Sequence, residues 1–490
     1  MAIKKDALLI PVAKIYFMIT GYVFQMVIAR LLSKSLIGMF NYVNSVVSPM
    51  NMILVQGGVQ TASHFISRAK PEDIKSIKNK ILKLFVSISI TLFLFLQFFA
   101  DKISLIITKD TQNSTYFRIA IIIVLFYSVY AVLIGVFNGQ KKFKNQALFD
   151  MTYSTLKVLL VSISLFLGFK LYGLLWAWVL ATAIITVLAY LLSITKKTNG
   201  ENDIKYKELV KFSLPIIVSQ LFFYILLNLD TWILGILSNK ETVLINGGNY
   251  LTVTTLSRIP YQIVISITFI IFPFISKLSQ LNDNKLIKTY IETSLRYSLL
   301  IAAPFVILIS AYPSIFLKII YGSTFVENSI YLSILVVGVL FLALFMINIT
   351  IITASGSPKI SMFITIIIIP IDVLLNYFLI SKYYLYGAVI ATSISFFMAW
   401  LLSSIYVFNV YKAFVPIKTL IRFLLIFLVF HFSFQLFKER LNIIEGLISL
   451  IVGGVFIYIL FFTLFEFKKK DLDDFKSIFK KKAIKDINET

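Results

Sequence analysis

The segments LNLDTWILGIL (227–237) and TTLSRIPYQ (254–262) decide how this chain is read. They belong to two apolar runs, 211–237 and 247–275. Each run exceeds the ~20 residues needed to cross a bilayer core. Yet Asp230 stands inside the first run and Arg258 inside the second. A charge at such depth costs roughly 3 kcal/mol on insertion scales, so it faces a protein interior or a water-filled cavity rather than lipid. The rest of the chain reads as scaffold around a polar path.

The composition agrees. Of 490 residues, 59% are hydrophobic and 14% charged, where a soluble domain carries roughly 25% charge. An all-α polytopic membrane protein is expected. The net charge of +23 could suggest a nucleic-acid binder, but the basic residues fall between apolar spans and no nucleic-acid partner is expected. Cysteine is absent, which excludes disulfides, thiolate metal sites and a cysteine nucleophile. The first apolar span is too long for a signal-peptide core and is expected to stay as the first helix.

Fourteen apolar spans can be drawn, separated by short loops. With the N-terminus inside, the inner segments collect 32 Lys and Arg and the outer ones 11. That asymmetry puts both termini in the cytoplasm, together with the loops near Lys142, Lys197, Lys285 and Lys359. The tail after Lys468 places Leu472, Phe475 and Phe479 on one helical face among lysines, a pattern suited to anionic lipid. Asp471 and Asp473 within it form a D-x-D, which reads more simply as a solvated face than as a metal site.

An internal repeat is visible. Lys157-Val-Leu-Leu and Leu171-Tyr-Gly recur as Asp372-Val-Leu-Leu and Leu385-Tyr-Gly, displaced by 215 and 214 residues. FNGQKKF (137–143) corresponds to ASGSPKI (354–360). A unit of about six spans, being even, gives two halves inserted with the same orientation. The expected organisation is a six-helix bundle over 1–200, a second over 205–410, an added helix pair over 411–466 and a basic amphipathic tail over 467–490.

Polar side chains recur at helical spacing on four spans. The first lines up Lys14, Tyr22 and Gln25, and the second Asn41, Asn44, Ser45, Ser48 and Asn51. The seventh carries Gln220, Tyr224, Asn228 and Thr231, and the eighth Thr255, Arg258, Gln262 and Ser266. Any one stripe could be interhelical glue. Four stripes on two repeat-related pairs point to a wetted cleft. Among the ionisable groups, Lys14 is near enough to a helix end to snorkel. Asp230 could pair with Arg258 or titrate. Asp150 and Lys157 share a face of the fifth span, and Lys157 and Asp372 hold equivalent places in the two halves.

These residues resemble a known family. IARLLSKSLIGMFNYV (28–43), the FNGQ loop, LNLDTWILG, TLSRIP and DVLLNYFLISKYYLYGAVIATSIS (372–395) are similar in order and spacing to the polysaccharide-transporter branch of the multidrug/oligosaccharidyl-lipid/polysaccharide (MOP) exporter superfamily. The resemblance implies two six-helix bundles around a central cavity and export of a lipid-linked oligosaccharide, typically on polyprenyl pyrophosphate. It also implies that Arg258 is the basic residue of the eighth-span motif and Asp230 the acid of the seventh.

On that basis Arg258, Lys14, Gln25, Asn44, Asn51 and Gln262 are expected to meet substrate. Asp230, Lys157, Asp372 and Asp150 are expected to pair or to couple transport to H+, Na+ or the membrane potential. A monomer without metal or cofactor is expected, its partners being substrate and membrane lipids. Lipid II or teichoic-acid-unit export is an alternative, although the lipid II branch usually has further arginines where this chain has Lys14, Arg30 and an Asn/Ser-lined second span. A cation-coupled drug exporter would need a buried acid in the first half, where Asp150 is the one candidate within a span. A sugar transferase or polymerase would need a larger loop with acid, base or metal ligands, so a transporter rather than an enzyme is expected.

Overall fold

The computed structural model describes residues 9–193, 204–280, 284–437 and 443–463. The loop around Lys197 and the predicted amphipathic tail over 467–490 lie outside them. Among the described residues the regular elements are sixteen α-helices and two short 3-10 turns. The first eight helices are α1 (Leu9–Leu31), α2 (Lys34–Ser67), α3 (Ile74–Thr108), α4 (Ser114–Gly139), α5 (Phe143–Phe166), α6 (Lys170–Leu192), α7 (Tyr206–Leu226) and α8 (Leu229–Leu237). The other eight are α9 (Val243–Ser257), α10 (Ile259–Gln280), α11 (Asn284–Ala311), α12 (Pro313–Ile320), α13 (Ser329–Ala354), α14 (Pro358–Tyr411), α15 (Ile417–Phe437) and α16 (Ile443–Thr463).

Ten helices among the described residues are long and apolar enough to cross a membrane. The all-α polytopic expectation stands, but this number differs from the fourteen spans drawn on the sequence. Three local features account for much of the difference. The eighth predicted span is broken, as described below, and drops out; the seventh is broken too but keeps an apolar helix over Tyr206–Leu226. Helix α14 runs through two predicted spans, 360–380 and 385–408, bending at Tyr384, whose φ of 48° and ψ of −124° are non-helical. Helix α2 has 34 residues, yet its Asn, Ser and Gln side chains keep it out of the apolar set.

The chain divides into two compact units. The first comprises 1–254, 320–325 and 362–395, and the second 255–319, 326–361 and 396–490. In the first, α2 packs along α4, and α5 packs between α1 and α6. Lipid is as apolar as leucine, so helices associate in it through close packing and hydrogen bonds rather than the hydrophobic effect. The α2–α4 crossing shows this directly. A Cβ on Gly135 would lie 2.6 Å from the Val59 carbonyl oxygen, and one on Gly139 2.9 Å from Ile66 Cβ. The Gly135-x-x-x-Gly139 spacing is a small-residue seam that lets two backbones approach. In the second unit α10 packs on α13, and α11 carries α15 and α16, the predicted added pair. Outward-facing side chains are apolar on both units, among them Phe98, Phe166 and Ile444, as a lipid-facing surface requires.

Backbone geometry recurs where the sequence repeats. Lys141 N–H donates to the Asn138 carbonyl and Lys142 N–H to Phe137, closing α4 in a Schellman turn with Lys141 at φ 59°. At a displacement of 215 residues, Gly356 N–H donates to Thr353 and Ser357 N–H to Ile352, with Gly356 at φ 90°. The Leu-Tyr-Gly motifs are each preceded by a left-handed residue, Lys170 and Tyr384, both at φ 48°.

Candidate functional site

The two predicted spans that carry Asp230 and Arg258 are both interrupted beside their charge. The seventh breaks at Leu227 and Asn228, between α7 and α8, so Asp230 falls in the first turn of α8. There the partial positive charge of a helix N-terminus favours an acid. The eighth breaks at Arg258 itself, between α9 and α10. Pro260 is the local cause: it disfavours helical geometry in the residue before it and suits the first turn of a new helix. Gln262 N–H closes that turn by donating to the Arg258 carbonyl at 3.0 Å. Non-helical backbone at membrane depth persists only where protein covers it or water reaches it. Both spans had been drawn as continuous; the readable signals were Pro260 and the Asn228-x-Asp230 pattern.

In the first unit Asp230 is 2% exposed. Its carboxylate accepts Tyr250 Oη–H at 2.5 Å, Thr392 Oγ1–H at 3.3 Å and the Thr231 backbone N–H at 2.6 Å. Asp372 is buried on α14 and accepts Asn376 Nδ2–H at 2.9 Å. The two carboxylates lie near enough to act on each other electrostatically. Asp372 makes no ion pair among the described residues, and the buried Oδ1 of Asn376 beside it has no hydrogen-bond donor. Tyr250, Thr392 and Asn376 were not foreseen. Tyr250 and Thr392 come from parts of the sequence 20 and 162 residues from Asp230, whereas Asn376 lies one helical turn after Asp372, a spacing open to a sequence reading.

A second polar cluster joins α1, α4 and α5. Lys14 Nζ meets Asp150 Oδ2 at 2.9 Å, and Tyr130 Oη–H donates to Asp150 Oδ1 at 3.2 Å. Lys157, two turns along α5, does not join them and does not pair with Asp372. Its Nζ lies 4.7 Å from the Phe24 ring centroid and 5.5 Å from that of Trp178.

The stripe on α2 splits in two. Asn41 Nδ2 donates to the Gly247 carbonyl at 2.9 Å, Ser45 Oγ accepts Trp232 Nε1–H at 3.2 Å, and Tyr42 Oη–H donates to the Val243 carbonyl. That flank is glue to α8 and α9, at a crossing so close that a Cβ on Gly38 would overlap the Leu244 carbonyl. Asn44, half-buried, makes no side-chain hydrogen bond among the described residues, and Asn51 is buried with its Oδ1 unsatisfied. Gln25 is half-buried and accepts Tyr321 Oη–H at 3.4 Å. In the second unit Arg258 and Gln262 are both half-buried. Among the described residues no group of three His, Asp or Glu side chains is placed to hold a metal.

Long apolar helices, two of the predicted spans being broken beside a charged residue, define a multi-pass membrane protein. Residues 3–279 match the family model described as polysaccharide biosynthesis protein. The chain belongs to that family, within the MOP superfamily that its motifs resemble. It is 28% identical over 263 residues to a putative O-antigen transporter of Shigella flexneri, covering 53% of this chain and 59% of that one. It is 26% identical over 212 residues to a probable low-salt glycan biosynthesis flippase, Agl15, of Haloferax volcanii, covering 43% of each. These matches therefore span less than two thirds of either relative. Among solved structures, the lipid II flippase MurJ in an inward closed conformation superposes with a TM-score of 0.76 at 18% identity, covering 94% of this chain and 98% of that one. At that identity the likeness shows the fold.

Proposed function

We propose that this protein is a flippase that moves a lipid-linked oligosaccharide, of polyprenyl-pyrophosphate type, from the inner to the outer leaflet of a prokaryotic cell membrane. It does so by alternating access through a central cavity, in two parallel six-helix halves with both termini cytoplasmic. The observation that carries the proposal is Arg258 at the broken eighth span. A sugar-pyrophosphate headgroup loses its water if it enters hydrocarbon unaided. A guanidinium held at a helix break replaces that water with forked hydrogen bonds to phosphate, while Gln262, Asn44 and Asn51 offer neutral partners to hydroxyls. Family membership and the names of the two glycan-export relatives support the same reading.

The acids supply the coupling. A buried carboxylate that lacks a fixed basic partner responds to a mobile cation, and Asp372, with one oxygen held by Asn376 Nδ2–H and the Asn376 Oδ1 open beside it, suits a proton or an alkali ion. Outward movement of an anion also runs with an inside-negative potential, worth roughly 2.3 kcal/mol per charge per 100 mV.

The test is accumulation of the lipid-linked intermediate on the inner leaflet of a complemented deletion strain. Arg258→Gln should abolish export at a normal protein level, and Arg258→Lys should retain part of it. Unimpaired export by a well-expressed Arg258→Gln protein removes Arg258 from the mechanism. Orientation is tested separately, because the chain has no cysteine of its own. A cysteine placed at position 141 or 285 should stay unlabelled by an impermeant thiol reagent in intact cells, and labelling there reverses the topology.

A further inference from the structure

We propose that Lys157 is a second anion seat, one that holds a phosphate of the transported headgroup against an aromatic wall in the first unit. The inference rests on the flippase reading above and assigns it a residue for which pairing or coupling had been the expectation. Lys157 is the fifteenth residue of the 24 in α5, far from either end. Its ammonium lies over Phe24 of α1 and Trp178 of α6. Those rings belong to one group, with Phe40 of α2 at 5.8 Å from Phe24 and 6.2 Å from Trp178 between centroids. Trp178 is fixed in turn by donating its Nε1–H to Tyr153 Oη at 3.0 Å.

Ring faces stabilise a cation's charge but give its N–H groups nothing directional to bond. An ammonium carries three donors, and among the described residues those of Lys157 meet no oxygen acceptor and no carboxylate. The acid on the same helix face, Asp150, is engaged by Lys14 and Tyr130 and does not compete. Lys157 is half-buried rather than sealed. What fits is a ligand that brings its own anionic oxygens to an oriented, partly desolvated cation. A phosphate ester does so, and the Phe24 and Trp178 rings beside the ammonium reduce the water that screens the contact.

The experiment uses the full chain in detergent, with native mass spectrometry as readout and farnesyl pyrophosphate, farnesol and phosphatidylglycerol as probes. The wild-type protein should retain farnesyl pyrophosphate in preference to the other two. Lys157→Met should weaken that retention by about tenfold or more, the loss expected for one charge-assisted hydrogen bond. It should leave farnesol retention unchanged and hold or raise the Tm, because it removes a desolvated charge and keeps an apolar chain of similar length. Lys157→Arg should stay within a few-fold of wild type. Wild-type retention of pyrophosphate by Lys157→Met overturns the proposal. So does a fall in Tm with a parallel loss of farnesol, which marks a structural role. Equal competition by phosphatidylglycerol also overturns it, since the seat would then hold a resident lipid headgroup. If Arg258→Gln lowers pyrophosphate retention and Lys157→Met does not, only this inference fails. If the wild-type protein does not prefer the pyrophosphate, the flippase reading fails and this one falls with it.

Discussion

Asp150 and Asp372 are carboxylates on long apolar helices of the same unit, and they meet the cost of burial in opposite ways. Asp150 has a fixed cation, Lys14, whose side chain is 52% exposed, and a phenol to share the charge. Its pair joins α1 to α5 as a staple. Asp372, 1% exposed, has an amide donor from one turn ahead and no basic partner among the described residues. An acid neutralised by its own protein has no vacancy for a passing ion, whereas an acid lacking that partner stays responsive to one. The contacts differ accordingly: Asp150 ties α1 to α5, while Asp372 has an amide donor and no basic partner among the described residues, which is why coupling is proposed for it and not for Asp150.

The comparison breaks most readily at Asp372. Asp372→Asn should lower export by roughly 5- to 150-fold, the usual range of coupling between sites, and should abolish its dependence on an imposed ion gradient, with expression unchanged. Gradient-driven export by that variant would put Asp372 among the structural residues. Asp230→Asn should cost less, because Tyr250 and Thr392 can still hold an amide oxygen. An effect as large as that of Asp372→Asn would make the two acids one ion site. The smallest effect belongs to the staple. In a double-mutant cycle on Lys14→Met and Asp150→Asn, thermal unfolding should give a coupling of about 1 kcal/mol or less, as for other half-exposed pairs. Gradient dependence should survive both single changes, and its loss in Asp150→Asn would erase the contrast.

How far the sequence reveals these sites depends on how local their causes are. Periodicity and loop charge were enough for an all-helical, multi-pass chain, because bilayer thickness and backbone hydrogen bonding leave few alternatives. The repeat was readable from Leu-Tyr-Gly because tight turns demand particular residues; the left-handed positions at Lys141 and Gly356 keep the 215-residue displacement of Lys157 and Asp372, so FNGQKKF and ASGSPKI align two residues away from the register drawn on the sequence. The break at Arg258 could have been found from Pro260. The partners of Asp230 could not, since Thr392 lies 162 residues away and reaches it only through tertiary packing. The α2 stripe misled in another way: Asn41 and Asn44 look alike in sequence, and only contact with Gly247 makes the first a fastener.

That same stripe bears on how the protein is made. Helix α2 is the longest in the first 350 residues apart from α3, yet it lacks the hydropathy of the ten apolar helices. A helix of that kind partitions poorly into lipid from the insertion machinery while it is alone. It becomes comfortable once the glycine seam of α4 and the carbonyls of α9 are beside it, and both are synthesised later. The polar surface of α2 thus makes it a reluctant second span in the nascent chain, expected to settle only as its partners emerge, first the glycines of α4 and then the carbonyl of Gly247, 206 residues after Asn41.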